Sequence, residues 1–315
     1  MANATQNMQN SYYQDLPSMI SSSCAMFADD TLLFDRCSGS SDARPCCRLR
    51  EDIPRLDAWA GDWCTTFNPS KSAHMLINRN NRKRKLSQPH PILSLSGGII
   101  PLVTSTTHLG VRLSCSLLRS EHVSRSIQRV HFKVFTLKRL ARRPGSCNLV
   151  KRLYLSLVRP ALEYTAPVWD SCSRHDSLSL ERIQLAVARA ILRASHRSHH
   201  NVDVLSKIGW PSLAWRRRRY KLLLFWDLLH SGGPPSLRDQ VPSSVSVRSR
   251  YSFRNPLSLS FPTCRTSHRL KSFLPSTIVL FNSLPSSVVS CSSKSAFARA
   301  LDRHFSSDKF SFGLS

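Results

Sequence analysis

Two adjacent carboxylates stand between two apolar runs near the start of the chain, and this setting indicates metal chemistry. Asp29 and Asp30 follow the run AMFA and precede the run LLF within SSSCAMFADDTLLF, residues 21–34. The pattern predicts a strand, two acids and a second strand. Two like charges in a half-buried hairpin repel each other and lose hydration. Mg²⁺ relieves both costs because it binds carboxylate and phosphate oxygens. An Asp-rich hairpin turn without a metal fits these residues equally well.

The composition favours a polyanionic partner. The 315 residues include 45 Lys and Arg against 19 Asp and Glu, which gives a formal net charge of +26. Such an excess is typical of proteins that bind nucleic acid or an anionic membrane surface. No apolar run approaches the roughly 18–20 residues that a membrane span requires. Nucleic acid is therefore the expected partner, and no membrane partner is expected.

Cysteine usage and the first residues predict an intracellular protein, in the nucleus, the cytoplasm or both. The ten cysteines are scattered and form no Cys-x-x-Cys pair, which favours reduced thiols over a structural zinc module. The opening MANATQNMQN has neither the basic flank nor the apolar region of a secretory signal. The runs NRKRK (81–85) and RRRR (216–219) could each serve as a nuclear-import signal.

Hydrophobic periodicity predicts a small mixed part followed by a longer helical part. The runs HMLI, ILSLSGGIIPLV and THLGVRLS predict a strand, a hairpin split at Gly97-Gly98, and one further strand. Apolar helix faces are predicted in residues 42–67 and 119–142. The first face comprises Leu49, Ile53, Leu56, Ala60 and Trp63. The second comprises Val123, Ile127, Val130, Val134, Leu137 and Ala141.

A basic stripe accompanies the second of these helices. Arg125, Arg129 and Lys133 recur every four residues on a face different from the apolar one. A solvated charged face would explain this stripe alone. Its repetition on several helices of a chain with a charge of +26 favours a track for phosphate groups.

Four consecutive arginines form a second basic feature, at Arg216, Arg217, Arg218 and Arg219. In a helix they cannot share one face, because successive residues turn by about 100°. At least one of them must extend past the core or bind an anion.

The order of these motifs resembles the reverse transcriptases of non-LTR (LINE-type, jockey-like) retrotransposons. FADDTLLF is similar to their metal-binding hairpin, and YYQDLP precedes it where they carry an Asn-Asp-Leu-Pro segment. WCTTFNPSKS resembles their next motif, and HLGVRLS resembles their primer-grip strand. LYLSLVRPALEYTAPVW and LERIQLAVARAI resemble the thumb and connection region. IGWPSLAWRRR and FLPSTIVLFNSLP resemble the distal tail, so the resemblance covers residues 12–305.

The resemblance implies an α+β fold with a defined division of the chain. A truncated polymerase palm, made of a β-hairpin, a helix and a small antiparallel sheet, would precede a mostly α-helical thumb and connection region. A small C-terminal segment would follow. The expected parts are an unrelated leader at 1–11, a partial palm at 12–116, the basic thumb and connection at 117–230, a linker at 231–260 and a tail segment at 261–315.

The resemblance also implies RNA-directed DNA polymerisation with two Mg²⁺ (or Mn²⁺) ions. Asp29 and Asp30 would be the metal ligands. Together with Lys71, near the incoming triphosphate, they would be the catalytic residues. A solvated turn lysine explains Lys71 as well.

The expected partners are an RNA template and a DNA primer. Phe27 and Ala28 would lie beside the primer terminus, and Gly110 would give the primer-grip strand a close backbone approach, unless it is a simple bulge glycine. The basic stripe and the four consecutive arginines would bind the nucleic acid.

The chain departs from the family upstream of the hairpin. Family members carry another catalytic aspartate, fingers and a glycine-rich pocket motif there, but only eleven residues precede Tyr12. We therefore expect a fragment that is inactive alone and that could act with an intact element-encoded polymerase. The alternatives are a reverse transcriptase active when complete, an inactive nucleic-acid-binding remnant, and a decaying fragment without a selected function.

Overall fold

The computed structural model describes residues 15–35, 47–77, 92–194, 200–230, 232–242, 258–306, 308–311 and 313. The predicted leader, the basic run at 81–85 and most of the predicted linker lie outside these residues. The fold is α+β, with helices and small two-stranded sheets. It divides into two compact units, Met1–His108 with Leu113–Leu117, and Leu109–Arg112 with Leu118–Ser315.

Short strands and one long helix form the first unit. The elements of this part are α1 (Leu16–Met19), β1 (Ser23–Phe27), β2 (Asp30–Phe34), α2 (Cys47–Asp62), β3 (Leu93–Leu95), β4 (Gly98–Ile100), β5 (Ser105–His108) and β6 (Val111–Ser114). The boundary between the two units falls within the hairpin of β5 and β6. The strand predicted at HMLI is reduced to an isolated bridge between His74 and Leu102.

Helix α2 supplies much of the apolar core of this unit. Ile53, Leu56 and Ala60 are buried as predicted, but Trp63 is 41% exposed, and Trp59 is buried instead. The predicted burial of Trp63 is wrong because α2 ends at Asp62, so that Trp63 lies beyond its last turn. Trp59 lies three residues after Leu56 and shares its face.

Two hairpin turns differ from the predicted strand pattern. Strands β3 and β4 pair with Leu95 opposite Gly98, so their loop is Ser96-Gly97 and not Gly97-Gly98. THLGVRLS forms two strands, β5 and β6, joined by Leu109-Gly110, and the prediction of one strand is wrong. Both residues of each loop have positive φ, as a type I′ turn requires.

The second unit is helical. Its elements are α3 (Ser120–Leu140), α4 (Cys147–Leu153), a π-helix (Tyr154–Val158), α5 (Arg159–Glu163), α6 (Ala166–Trp169), α7 (Arg174–Leu192), α8 (Asn201–Ile208), α9 (Leu213–Leu229), α10 (Pro235–Arg238), α11 (Ser267–Leu270), α12 (Phe273–Asn282), α13 (Ser286–Val289) and α14 (Lys294–His304). The apolar stripe predicted for α3 is confirmed, because all its members are buried except Ile127, which is partly buried.

A proline explains the π-helix between α4 and α5. Pro160 has no N–H and its ring crowds the carbonyl four residues earlier, which disfavours regular α-helical geometry at this point. The wider turn lets the N–H of Arg159 donate to the carbonyl of Tyr154. The chain therefore continues as one helical rod with a local expansion.

Helix α9 belongs to two apolar clusters of the second unit. Leu213, at its start, packs with α3 and α7. Phe225, nearer its end, stacks edge-on with Phe281 of α12 and shares a cluster with Phe297 of α14. The helices on the two sides of the predicted linker thus share one core.

Candidate functional site

The candidate metal hairpin is formed by β1 and β2. Phe27 pairs with Asp30, so Ala28 and Asp29 form a two-residue loop. Both aspartates are exposed, and the expectation that the hairpin half-buries them is wrong. The two aspartates lie at the tip of the hairpin, beyond the side chains of β1 and β2 that contact the core.

The loop of this hairpin is strained. Ala28 has a φ of 52°, in the left-handed region that disfavours a residue with a Cβ by about 1–2 kcal/mol. Its neighbour Phe27 is 65% exposed although it is a large apolar residue. Backbone strain of this kind is concentrated at functional sites. The strain is consistent with a selected loop conformation.

The donor set of the hairpin fits one side of a magnesium–phosphate site. Mg²⁺ is commonly bound through one or two carboxylates together with substrate phosphates, and Asp29 and Asp30 could supply such oxygens. In the described part of the chain, however, no three His, Cys, Asp or Glu side chains cluster so that they could hold a metal ion. The described residues therefore fit a partial site and not a complete two-metal centre.

Lys71 lies in a turn that Asn68 organises. The Oδ1 of Asn68 accepts the backbone N–H of Ser70 at 3.0 Å and that of Lys71 at 3.3 Å. The side chain of Lys71 is exposed, and no acid among the described residues pairs with it. A solvated ammonium of this kind is compatible with both interpretations of Lys71.

Gly110 lies in a tight turn that packs against the aromatic ring of Tyr164. A Cβ at Gly110 would lie 3.1 Å from Cε1 of Tyr164, whose hydroxyl donates to the carbonyl of Leu109 at 3.0 Å. Its φ of +77° also favours glycine. This environment explains the glycine without a bulge, and its expected role at a primer stays a prediction.

The predicted basic stripe of α3 is interleaved with exposed aromatic rings. Arg125, Arg129 and Lys133 are all exposed. Phe132 is 77% exposed and Phe135 is 52% exposed. We call these five residues the basic-aromatic face. The two phenylalanines were missed by the sequence analysis, although both fall outside the apolar stripe of α3.

The consecutive arginines of α9 make ion pairs inside the second unit. Arg216 forms a bidentate pair with Glu163 of α5, and Arg219 forms one with Asp302 of α14 at 2.7 and 3.0 Å. Bidentate arginine–carboxylate pairs are among the stronger polar contacts in proteins. These contacts link α9 to α5 and α14.

Arg217 extends into the core, as the spacing of the four arginines requires of at least one of them. Its side chain is 3% exposed, and its Nε donates to Asp170 at 3.2 Å. Lys221 donates to the other oxygen of Asp170 at 2.9 Å. The expected binding of nucleic acid by Arg216 to Arg219 stays a prediction, but these pairs give three of them a structural role.

No helix in the described ranges combines the length and the apolarity that crossing a membrane requires. Comparison with known proteins gives no family assignment, because no protein-family model, no curated protein and no solved structure matches the chain.

Proposed function

We propose that this protein binds an RNA template paired with a DNA primer through the basic-aromatic face of α3, as a carboxyl-terminal part of a non-LTR reverse transcriptase. The observation that carries the proposal is the alternation of exposed cations with exposed phenylalanines on one solvent-facing side of a helix. The net charge of +26 and the resemblance of the chain to these enzymes support it.

The two residue types of the face would make different contributions. Each cation that neutralises a phosphate releases counterions and adds about 0.9 to the salt dependence of binding to a duplex. An unpaired base of the template can stack on a phenylalanine ring, which is worth about 1–3 kcal/mol per base. A helix whose outer side only faces solvent carries polar or charged residues there. Solvation alone therefore does not explain the two phenylalanines.

The test is fluorescence anisotropy with an RNA–DNA primer-template at 50–200 mM salt. Replacing the three cations of the face by Ala should lower the slope of log affinity against log salt by about 3. The matched control removes the same charge at exposed arginines elsewhere in the second unit, namely Arg269, Arg299 and Arg303.

The control should leave most of the salt dependence in place. Phe132→Ala and Phe135→Ala should weaken binding to a template with a single-stranded overhang more than binding to a blunt duplex. If the face variant and the control lower the salt slope equally, only the net charge determines binding, and the proposal would be abandoned.

Polymerase chemistry at the β1–β2 hairpin is the second candidate, and the two adjacent exposed carboxylates of the hairpin favour it. When bound, a divalent ion would supply electrostatic stabilisation of the transferring phosphate. Asp29 and Asp30 would hold it from one side, and Phe27 would lie against the primer end. In a fusion with the fingers and upstream palm strand of a related polymerase, Asp29→Asn should abolish primer extension and leave primer-template binding nearly unchanged. Extension that survives Asp29→Asn would identify the pair as a hairpin turn only.

A further inference from the structure

An open groove runs between the end of α3, the second half of α7 and the start of α8. Its volume is about 720 Å³. Among the described residues its lining includes five cations and no carboxylate, and alanines make up much of the rest. The cations are Lys138, Arg142, Arg182, Arg189 and Arg193. We call this feature the basic groove.

The sequence of α7 produces the groove. Arg182, Arg189 and Arg193 are seven and four residues apart, which places them on one side of the helix. Between them Ala186 and Ala190 carry only a methyl group, so the floor of the groove stays low. The cations then form a rim about 16 Å long, at a rise of ~1.5 Å per residue.

The charges of the groove lack acidic counterparts among the described residues. Lys138, Arg142, Arg182 and Arg193 are exposed and have no ion-pair partner among the residues that the structure describes. Arg189 donates from Nη2 to Asn201 at 2.6 Å, whereas its Nε is buried and has no hydrogen-bond partner in the described part. Like charges gathered in this way repel each other, and an anion in the groove would remove that repulsion.

We propose that the basic groove binds the phosphate backbone of a single nucleic-acid strand, as a site separate from the basic-aromatic face. A rim about 16 Å long matches a few consecutive phosphates of such a strand. No aromatic side chain of the described residues lines the groove, so these residues offer bases no ring to stack on. Binding in the groove should therefore show no base preference. The inference rests on the nucleic-acid-binding function proposed above, but on different residues.

Two probes of the full chain test the groove. Calorimetry with inorganic tripolyphosphate measures its affinity for linked phosphates without any nucleic acid. Anisotropy with fluorescent single-stranded oligonucleotides of different base composition measures strand binding. The triple variant Arg142→Ala, Arg182→Ala and Arg193→Ala should weaken binding of both probes at least about tenfold, because charge-assisted hydrogen bonds to phosphate are lost. All three substitutions lie at exposed positions, which preserves the fold.

A second variant fills the groove and keeps its charge. Ala186→Leu raises the floor and should weaken binding of both probes, while far-ultraviolet circular dichroism checks that the fold is retained. The control is again the triple substitution of Arg269, Arg299 and Arg303, which should reduce the affinity for tripolyphosphate by less than about twofold.

The outcomes distinguish binding in the groove from nucleic-acid binding elsewhere on the chain. Weaker binding of both probes in the triple variant and in Ala186→Leu supports the proposal. Tripolyphosphate binding that neither variant weakens overturns the groove even if the chain binds nucleic acid elsewhere. Binding of tripolyphosphate in the groove with no binding of any single strand overturns the strand as the ligand, whereas the proposed function is decided separately by the primer-template assay.

Discussion

A buried glutamate on α7 should make the stability of the second unit depend on pH near neutrality. Glu181 is 3% exposed. Its carboxylate accepts the backbone N–H of Leu213 at 2.9 Å and the side-chain amide of Gln184 at 3.0 Å. Burial raises the pKa of Glu181 from 4.5 to about 7, although these hydrogen bonds and the nearby charge of Arg217 act in the opposite direction. The carboxyl group therefore titrates in the folded protein close to physiological pH.

The sign of the effect follows from proton binding. Between pH 4.5 and about 7 the folded protein holds a proton on Glu181 that the unfolded chain has released. The free energy of unfolding should consequently fall as pH rises through this window and level off above it. The separation of the two pKa values corresponds to about 3 kcal/mol. This contribution is fully present below pH 4.5 and lost above about pH 7.

Glu181→Gln isolates this contribution, because glutamine mimics the protonated acid and does not titrate. Urea unfolding of the wild type and the variant, followed by tryptophan fluorescence, should be compared at half-unit steps from pH 5 to 8. Between the two ends of this pH range, the free energy of unfolding of the variant should rise by about 3 kcal/mol relative to that of the wild type. Glu51→Gln makes the same chemical change at an exposed position and serves as the matched control.

A difference between Glu181→Gln and the wild type that stays constant from pH 5 to 8 would refute the reasoning. It would mean that the hydrogen bonds to the carboxylate compensate fully for its burial. A difference that decreases with rising pH would show that the charged form is the more stable one in the folded protein.

Further substitutions test other parts of the structure. Asp52 is fully buried and accepts two backbone N–H groups, so Asp52→Asn should cost about 1–3 kcal/mol, measured as faster amide exchange of those groups. Ala28→Gly should stabilise the β1–β2 hairpin by about 1 kcal/mol and slow exchange across it, since glycine adopts a positive φ without steric cost. Asp170→Asn leaves two buried cations without their ion pair and should cost about 3–5 kcal/mol in urea unfolding. Lys294→Ala breaks an exposed pair and should cost less than about 1 kcal/mol in the same assay.

The parts of the fold that local periodicity determines could be predicted from the sequence. The stripe on α3 is one example, because a helix of this length repeats its core contacts every three to four residues. The turn at Leu109-Gly110 was missed because a leucine with positive φ carries no turn signal. The burial of Trp59 in place of Trp63 depended on where α2 ends, which periodicity does not specify.

The candidate sites depended on partners that lie far apart in the sequence. The run of four arginines indicated that at least one extends past the core or binds an anion, but not which acids they would meet. Those acids are Glu163, Asp170 and Asp302, at sequence separations of 53, 47 and 83 residues. No local pattern connects such residues, so the sequence predicted nucleic-acid binding by the arginines but did not predict the ion pairs that three of them make.

The same ion pairs explain where the excess positive charge acts. Within the described residues of the second unit, every ion pair except that of Arg112 with Glu121 involves a residue of α9. Three acids of this unit, Glu163, Asp170 and Asp302, thus pair with cations of the helix that has the longest run of arginines. Lys138, Arg142, Arg182 and Arg193 of the basic groove have no such acid in the described part of the chain, and the cations of the basic-aromatic face are exposed to solvent. Three members of the most conspicuous basic run in the sequence therefore have a structural role, and we expect phosphate groups to bind along α3 and α7.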